Sequence, residues 1–97
     1  MQTRSEILDT LKRLLPEVQE RYHVRSLALF GSFARVENSA ESDVDVLVDF
    51  NDGASLFDLS GLGCFLEDAL QRKVDVVSRK ALRKEIFESV CHDAIAV

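Results

Sequence analysis

Gly31-Ser32-Phe33-Ala34-Arg35-Val36-Glu37-Asn38-Ser39-Ala40-Glu41-Ser42-Asp43-Val44-Asp45-Val46-Leu47-Val48-Asp49-Phe50 is the stretch on which the reading of the chain turns. From Asp43 onward the residues alternate strictly. Asp43, Asp45, Leu47 and Asp49 fall on one side, and Val44, Val46, Val48 and Phe50 on the other. That is the period of a β-strand with one face toward a core, and it points the first two aspartates the same way. Ahead of them, Gly31-Ser32 is a small-residue turn able to receive phosphate on backbone N–H groups. An aspartate pair can hold the divalent ion that polyphosphate chemistry requires. The residues fit a metal-dependent phosphoryl or nucleotidyl site.

Working outward, Val24 to Phe30 is short, apolar and stopped by Gly31, so it reads as a buried strand that delivers the chain to the turn. Ser32 to about Val36 suits a short helix, Glu37 to Ser42 is polar loop, and Asn51-Asp52-Gly53 has the chemistry of a turn. Upstream, Ile7, Leu8, Leu11, Leu14, Leu15, Val18 and Tyr22 recur at helical spacing from Thr3 to Tyr22, and Thr3 with Glu6 has the form of a capping box. Pro16 lies inside this pattern and is expected to kink the helix or to begin a second one at Glu17. Arg4, Lys12, Arg13, Glu17 and Glu20 read as its solvated face.

Downstream, Leu56, Phe57, Leu59, Leu62, Phe65, Leu66, Ala69 and Leu70 mark a second amphipathic helix, with Ser55 as its N-cap. Gly61 and Gly63 each cost such a helix about 1 kcal/mol against alanine, which calls for close packing or a local break. Lys73 to Val77 reads as a third strand, with Asp75 between two valines. A last helix is expected from about Arg79 to Val90 with Leu82, Ile86, Phe87 and Val90 inward, and Ala94 to Val97 frays or pairs at an edge. The element order predicts an α/β (α+β) fold, a small mixed sheet of about three to four strands covered by helices. The helix between the strands of Asp43 and Asp75 suits a crossover. No repeat, low-complexity tract or linker interrupts the pattern, so residues 1–97 are read as a single domain.

The 97 residues, 46 % hydrophobic and 30 % charged, hold one modest core. So small a domain buries a limited fraction of its surface, and a second chain is expected to complete its core or its site. A net charge of −5 argues against direct nucleic-acid binding, which relies on Lys and Arg replacing counterions. A nucleotide stays admissible, because bound Mg²⁺ inverts the sign of an aspartate-lined site. Met1 to Leu15 has scattered charges and no continuous apolar block, so it reads as neither signal peptide nor membrane span, and a cytoplasmic location is expected. Cys64 and Cys91 have no ligand or framework spacing and are read as small half-buried hydrophobes. His23 and His92 show no partner spacing and receive no catalytic role.

Two strand residues apart, Asp43 and Asp45 have Cα atoms about 6.5 Å from each other. They can reach one ion, or share two ions about 3.5–4 Å apart. Asp-x-Asp alone is what alternating strands with polar outer faces produce routinely, and a solvated face is the better reading of the pair in isolation. Joined to Gly-Ser at one fixed separation, it arises by chance in on the order of one chain in a thousand of this length. Asp75 alone reads as the exposed residue of an edge strand. Arg35 suits a phosphate contact and a solvated position equally, and Asp49 is expected on the surface past the metal site.

Gly-Ser, ten residues, Asp-x-Asp and a further acidic residue on a later strand resemble the nucleotidyltransferase superfamily with its polymerase-beta-like fold. Leu-Ala-Leu-Phe-Gly-Ser-Phe-Ala-Arg, Ser-Asp-Val-Asp-Val-Leu-Val and Arg-Lys-Val-Asp-Val-Val carry the likeness. Within the superfamily the chain is similar to the minimal nucleotidyltransferase domains that act as antitoxins to HEPN-domain toxins. The resemblance implies that Gly31 and Ser32 grip the β- and γ-phosphates of a nucleoside triphosphate, with Arg35 in the nucleotide-binding set. Asp43 and Asp45 would bind two Mg²⁺ ions, and Asp75 would hold one ion and help deprotonate the attacking hydroxyl. It further implies transfer of AMP from ATP to a tyrosine of a cognate HEPN toxin, within a hetero-oligomer. One departure stands out: the family commonly carries glycine where this chain has Val36, so the loop leading to Asp43 is expected to run differently. Two other functions fit less well. Neutralisation of a partner by occlusion alone is motivated by the small core and exposed apolar helix faces. Transfer to a small molecule such as an aminoglycoside lacks a second domain to shape the pocket.

Overall fold

The computed structural model describes residues 3–37 and 42–97. Helix α1 (Arg4–Arg21) is opened by Thr3, whose side-chain oxygen accepts the Glu6 N–H at 3.2 Å. It runs through Pro16 as one element rather than restarting at Glu17. The proline removes the donor for the Lys12 carbonyl, but both residues are exposed, so water can satisfy that oxygen. Strand β1 (Val24–Phe30) follows, then the single turn α2 (Gly31–Ala34), shorter than the expected Ser32–Val36 segment and starting one residue earlier. Of the polar loop expected from Glu37 to Ser42, residues 38–41 lie outside the described residues.

Strand β2 (Val44–Phe50) pairs antiparallel with β1, and α3 (Leu56–Leu70) crosses over to β3 (Val74–Ser78), which lies parallel to β2. A 3-10 turn at Arg79–Ala81 leads to α4 (Lys84–Asp93), and β4 (Ile95–Ala96) pairs antiparallel with the free edge of β1. The result is a four-stranded mixed sheet in the order β3-β2-β1-β4. Among the described residues no helix is long and apolar enough to cross a membrane.

The two faces of β2 decide how these layers close. Val44, Val46 and Val48 are fully buried, with Ile7, Leu11 and Val18 of α1 and Leu62 and Leu66 of α3 in the same core cluster. Each such valine contributes about 1.5–3 kcal/mol by burial. A one-residue slip of β2 would exchange these valines for Asp45 and Asp49, so the register is strongly specified. Helix α3 is continuous through both glycines, and close packing explains the first: a Cβ on Gly61 would stand 2.7 Å from a ring carbon of Tyr22.

Several expectations fail where a helix buries less than its pattern allows. The last α-helix begins at Lys84, not Arg79, and although α4 packs against α2 and β1, Ile86 is left 51 % exposed while Phe87 and Val90 are half-buried. Leu56 and Phe57, read as part of the α3 stripe, are 81 % and 88 % exposed in its first turn. Cys64 and Cys91 are both exposed, Cys64 on the side of α3 opposite Leu62 and Leu66.

Candidate active site

Strand β1 ends at Phe30 and the chain must turn at once. Gly31 makes the turn at φ +76°, a conformation L side chains rarely adopt, and a Cβ there would overlap the Asp45 carboxylate. Glycine is therefore required twice, once by the backbone and once by the approach of the aspartate. The turn is held from inside by Arg35 N–H to the Gly31 carbonyl at 3.1 Å and Glu37 N–H to the Ser32 carbonyl at 2.8 Å. From outside, the Arg4 guanidinium, expected to be solvated, donates to the Ala34 carbonyl at 3.1 Å and ties α2 to α1.

Asp45 lies opposite Phe30 on β1 and opposite Asp75 on β3. Paired residues on neighbouring strands share a face, so the Asp45 and Asp75 side chains stand side by side at about the 4.8 Å strand spacing. Asp43 sits just ahead of β2, exposed like Asp75, while Asp45 is half-buried. Burial pushes the Asp45 carboxyl above its ordinary value, the charges of Asp75 and Asp43 push it further, and Arg35 opposes them. The fold thus brings Asp43, Asp45 and Asp75 to one rim beside the Gly31 turn. They are neighbours rather than a closed cage: among the described residues no three His, Cys, Asp or Glu side chains converge as metal ligands do. The donor set is nonetheless the one a hard divalent cation takes, carboxylate oxygens only, with the charge of Arg35 opposing the negative charges only in part.

Arg35 ion-pairs with Glu37 at 3.0 Å and with Asp93 of α4 at 3.5 Å, and the hydrogen bond that its guanidinium donates to the Glu37 carboxylate raises its pKa. Val36 takes φ +58° and is 63 % exposed, so at this residue the backbone keeps the conformation a glycine favours although a β-branched side chain occupies it. Asp49, expected on the surface, has a side chain only 16 % exposed between Arg25 and Arg79. His23, read as having no partner, points Nδ1 at Asp58 Oδ2 across 3.2 Å. No spacing rule links His23 to Asp58, because the contact is made through the turn that joins β2 to α3.

The family model described as "Nucleotidyltransferase domain" matches residues 11–96. The protein adenylyltransferase MntA of Thermococcus cleftensis is 37 % identical over 97 residues, covering 100 % of this chain and 98 % of its own. A Methanocaldococcus jannaschii protein provisionally named a protein adenylyltransferase is 37 % identical over 98 residues, covering both chains in full (100 %). A solved structure, provisionally a minimal nucleotidyltransferase, superposes with TM-score 0.87 at 31 % identity over 99 % of this chain and 97 % of that one. The fold alone is shared with the toxin–antitoxin complex solved with AMP-PNP, at TM-score 0.70 and 21 % identity over 98 % and 72 % of the two chains. The same holds for a tri-AMPylated Shewanella oneidensis HEPN toxin in complex with its MNT antitoxin, at TM-score 0.67 and 17 % identity over 93 % and 70 %.

Proposed function

The chain belongs to the nucleotidyltransferase domain family, and from that premise we propose that it is an antitoxin that transfers AMP from ATP to a tyrosine hydroxyl of a HEPN-type partner. The observation that carries the reading is the register that sets Asp45 beside Asp75, with Gly31 cleared of any side chain against Asp45. Asp43 and Asp45 would hold Mg²⁺, with Asp75 completing the set for one of two ions. When bound, Mg²⁺ neutralises charge on the attacking and leaving oxygens of an in-line displacement. Gly31 and Ser32 present the turn to the β- and γ-phosphates, and Arg35 turns to phosphate from Glu37 and Asp93. Asp75, exposed at the rim, receives the proton of the tyrosine hydroxyl as its oxygen bonds to the α-phosphorus. The bond from that phosphorus to the bridging oxygen breaks, and pyrophosphate leaves with the electron pair. In this reading the partner brings the tyrosine, and the solved complex of a tri-AMPylated HEPN toxin with an MNT antitoxin supports a protein acceptor.

The test is to incubate the protein with Mg²⁺, ATP and the HEPN-type protein encoded beside it, then weigh the partner intact. A mass gain of one or more AMP units is expected, absent from the Asp43→Asn, Asp45→Asn double variant. An unchanged partner mass with the unaltered protein overturns the reading. Neutralisation that persists in the double variant replaces it with occlusion.

A further inference from the structure

Beneath α4 the carboxylate face of the sheet continues into a cavity of about 220 Å³, lined by Ser26, Ala28, Leu47, Asp49, Arg79 and Cys91 among others. Its position follows from the strand register. Asp45, Leu47 and Asp49 share one face of β2, and Ala28 and Ser26 lie opposite Leu47 and Asp49 on β1. The floor is thus small and apolar, Ala28 beside a Leu47 that is only 7 % exposed, and the roof is α4. One end is polar. The Asp49 carboxylate is 16 % exposed, yet its nearest cations, Arg25 and Arg79, stand at 3.9 and 3.8 Å, beyond hydrogen-bond reach. Arg79 is committed elsewhere, its guanidinium 4.9 Å over the Phe87 ring.

We propose that this slot takes the adenine ring of the nucleotide, with Asp49 accepting the hydrogen bond of its exocyclic amino group and so selecting ATP. The inference rests on the nucleotidyl-transfer reading of Asp43, Asp45 and Asp75. The volume is below that of pockets for whole ligands, about 300 Å³ upward, and suits one flat ring system. Four strand residues separate Asp45 from Asp49, about 13 Å along the sheet, which is the scale of a nucleoside attached to its α-phosphate. A tyrosine acceptor fits the slot badly, because a ring reaching Asp49 leaves its hydroxyl far from Asp75. Adenine presents an amino donor where guanine presents a carbonyl acceptor, so a carboxylate at that point attracts the first and repels the second. Cytosine also carries an amino group, but its single ring stops short of Asp49.

Calorimetric titration of the full chain in Mg²⁺ with ATP, GTP and inorganic tripolyphosphate tests the slot without requiring transfer. ATP is expected to bind at least about tenfold tighter than GTP, and Asp49→Asn should shrink that ratio to about threefold or less. Cys91→Phe, made at an exposed position where folding is not at stake, should fill the slot, weakening ATP about tenfold while tripolyphosphate binds as before. Equal affinity for ATP and GTP, an unchanged ratio in Asp49→Asn, or equal weakening of ATP and tripolyphosphate in Cys91→Phe overturns the inference. Selective ATP binding with no transfer would sink the proposed reaction and leave the slot standing. Transfer from ATP and GTP at equal efficiency would do the reverse.

Discussion

Asp45 and Asp58 sit at opposite ends of β2, and their protonation shifts in opposite directions. Asp58, in the first turn of α3, accepts the Ser55 N–H at 2.9 Å and faces His23, and these donors hold its carboxyl below its ordinary value. Asp45 is pushed up by burial and by two like charges. The chain supplies its own donors at one end and leaves carboxylates clustered against one another at the other. The first arrangement stabilises the fold; the second costs it stability.

The contrast is broken most directly by Asp45→Asn. Transfer to the partner should fall on the order of a thousandfold, read by the rate of partner mass gain, because a charged oxygen ligand is lost. The melting temperature at neutral pH should rise. With its folded value raised, Asp45 binds more protons in the native than in the unfolded chain between the ordinary and the raised pKa. Stability therefore declines as pH climbs through that window, and the full penalty is present above it. Asparagine has no such penalty, so the gain over the unaltered protein should vanish as the pH drops below the ordinary carboxylate value. A variant that melts lower at neutral pH would show that Asp45 supports the fold after all.

Gly31→Ala comes next. Left-handed backbone costs an alanine about 1–2 kcal/mol, and the new methyl group must displace the Asp45 carboxylate. Urea unfolding should show that loss, and transfer should fall on the order of a hundredfold, since a misplacement of about 1 Å suffices for that. Val36→Gly works the other way. It relieves a β-branched residue of the same conformation, less the entropy glycine adds to the unfolded chain, for a net gain of up to about 1 kcal/mol. In a domain of this size that corresponds to a melting point higher by no more than about 8 °C.

The valine side of the molecule was legible in the sequence because burial has a period. The alternation over 43–50 placed β2 to within one residue and fixed its faces, and the crossover that the intervening helix suited is present, with β3 parallel to β2. The Gly-Ser and Asp-x-Asp motifs were legible for the same local reason, and the fold sets Gly31 beside Asp45. What stayed hidden depends on contacts between segments distant in sequence. Asp49 looked like one more polar residue on an outer face, and only the return of the 3-10 turn and α4 over the sheet half-buries it beside Arg79. His23 meets Asp58 across 35 positions that no helical or strand period connects. Ile86 and Phe57 matched apolar stripes yet remain exposed, because periodicity tells which residues could be buried and not whether an opposing surface exists.

The smallest effect belongs to the end that is already satisfied. Asp58→Asn keeps the shape of the first turn of α3 but weakens the acceptor for Ser55 N–H and removes the charge facing His23. Because the native carboxyl is held below its ordinary value, its stabilising contribution is present above the unfolded pKa and is lost as pH falls through the lower, folded one. The variant should therefore melt below the unaltered protein at neutral pH, by less than Gly31→Ala does, and the two curves should converge in acid. That is the opposite sense to Asp45→Asn across the same range, and one pair of pH-dependent melting series measures both. Transfer should proceed at the unaltered rate, since Asp58 lies at the far end of β2 from Gly31 and Asp75. A fall in transfer of more than about twofold, on the scale where stability changes of a few tenths of a kcal/mol operate, would mean that the two ends of the strand act together.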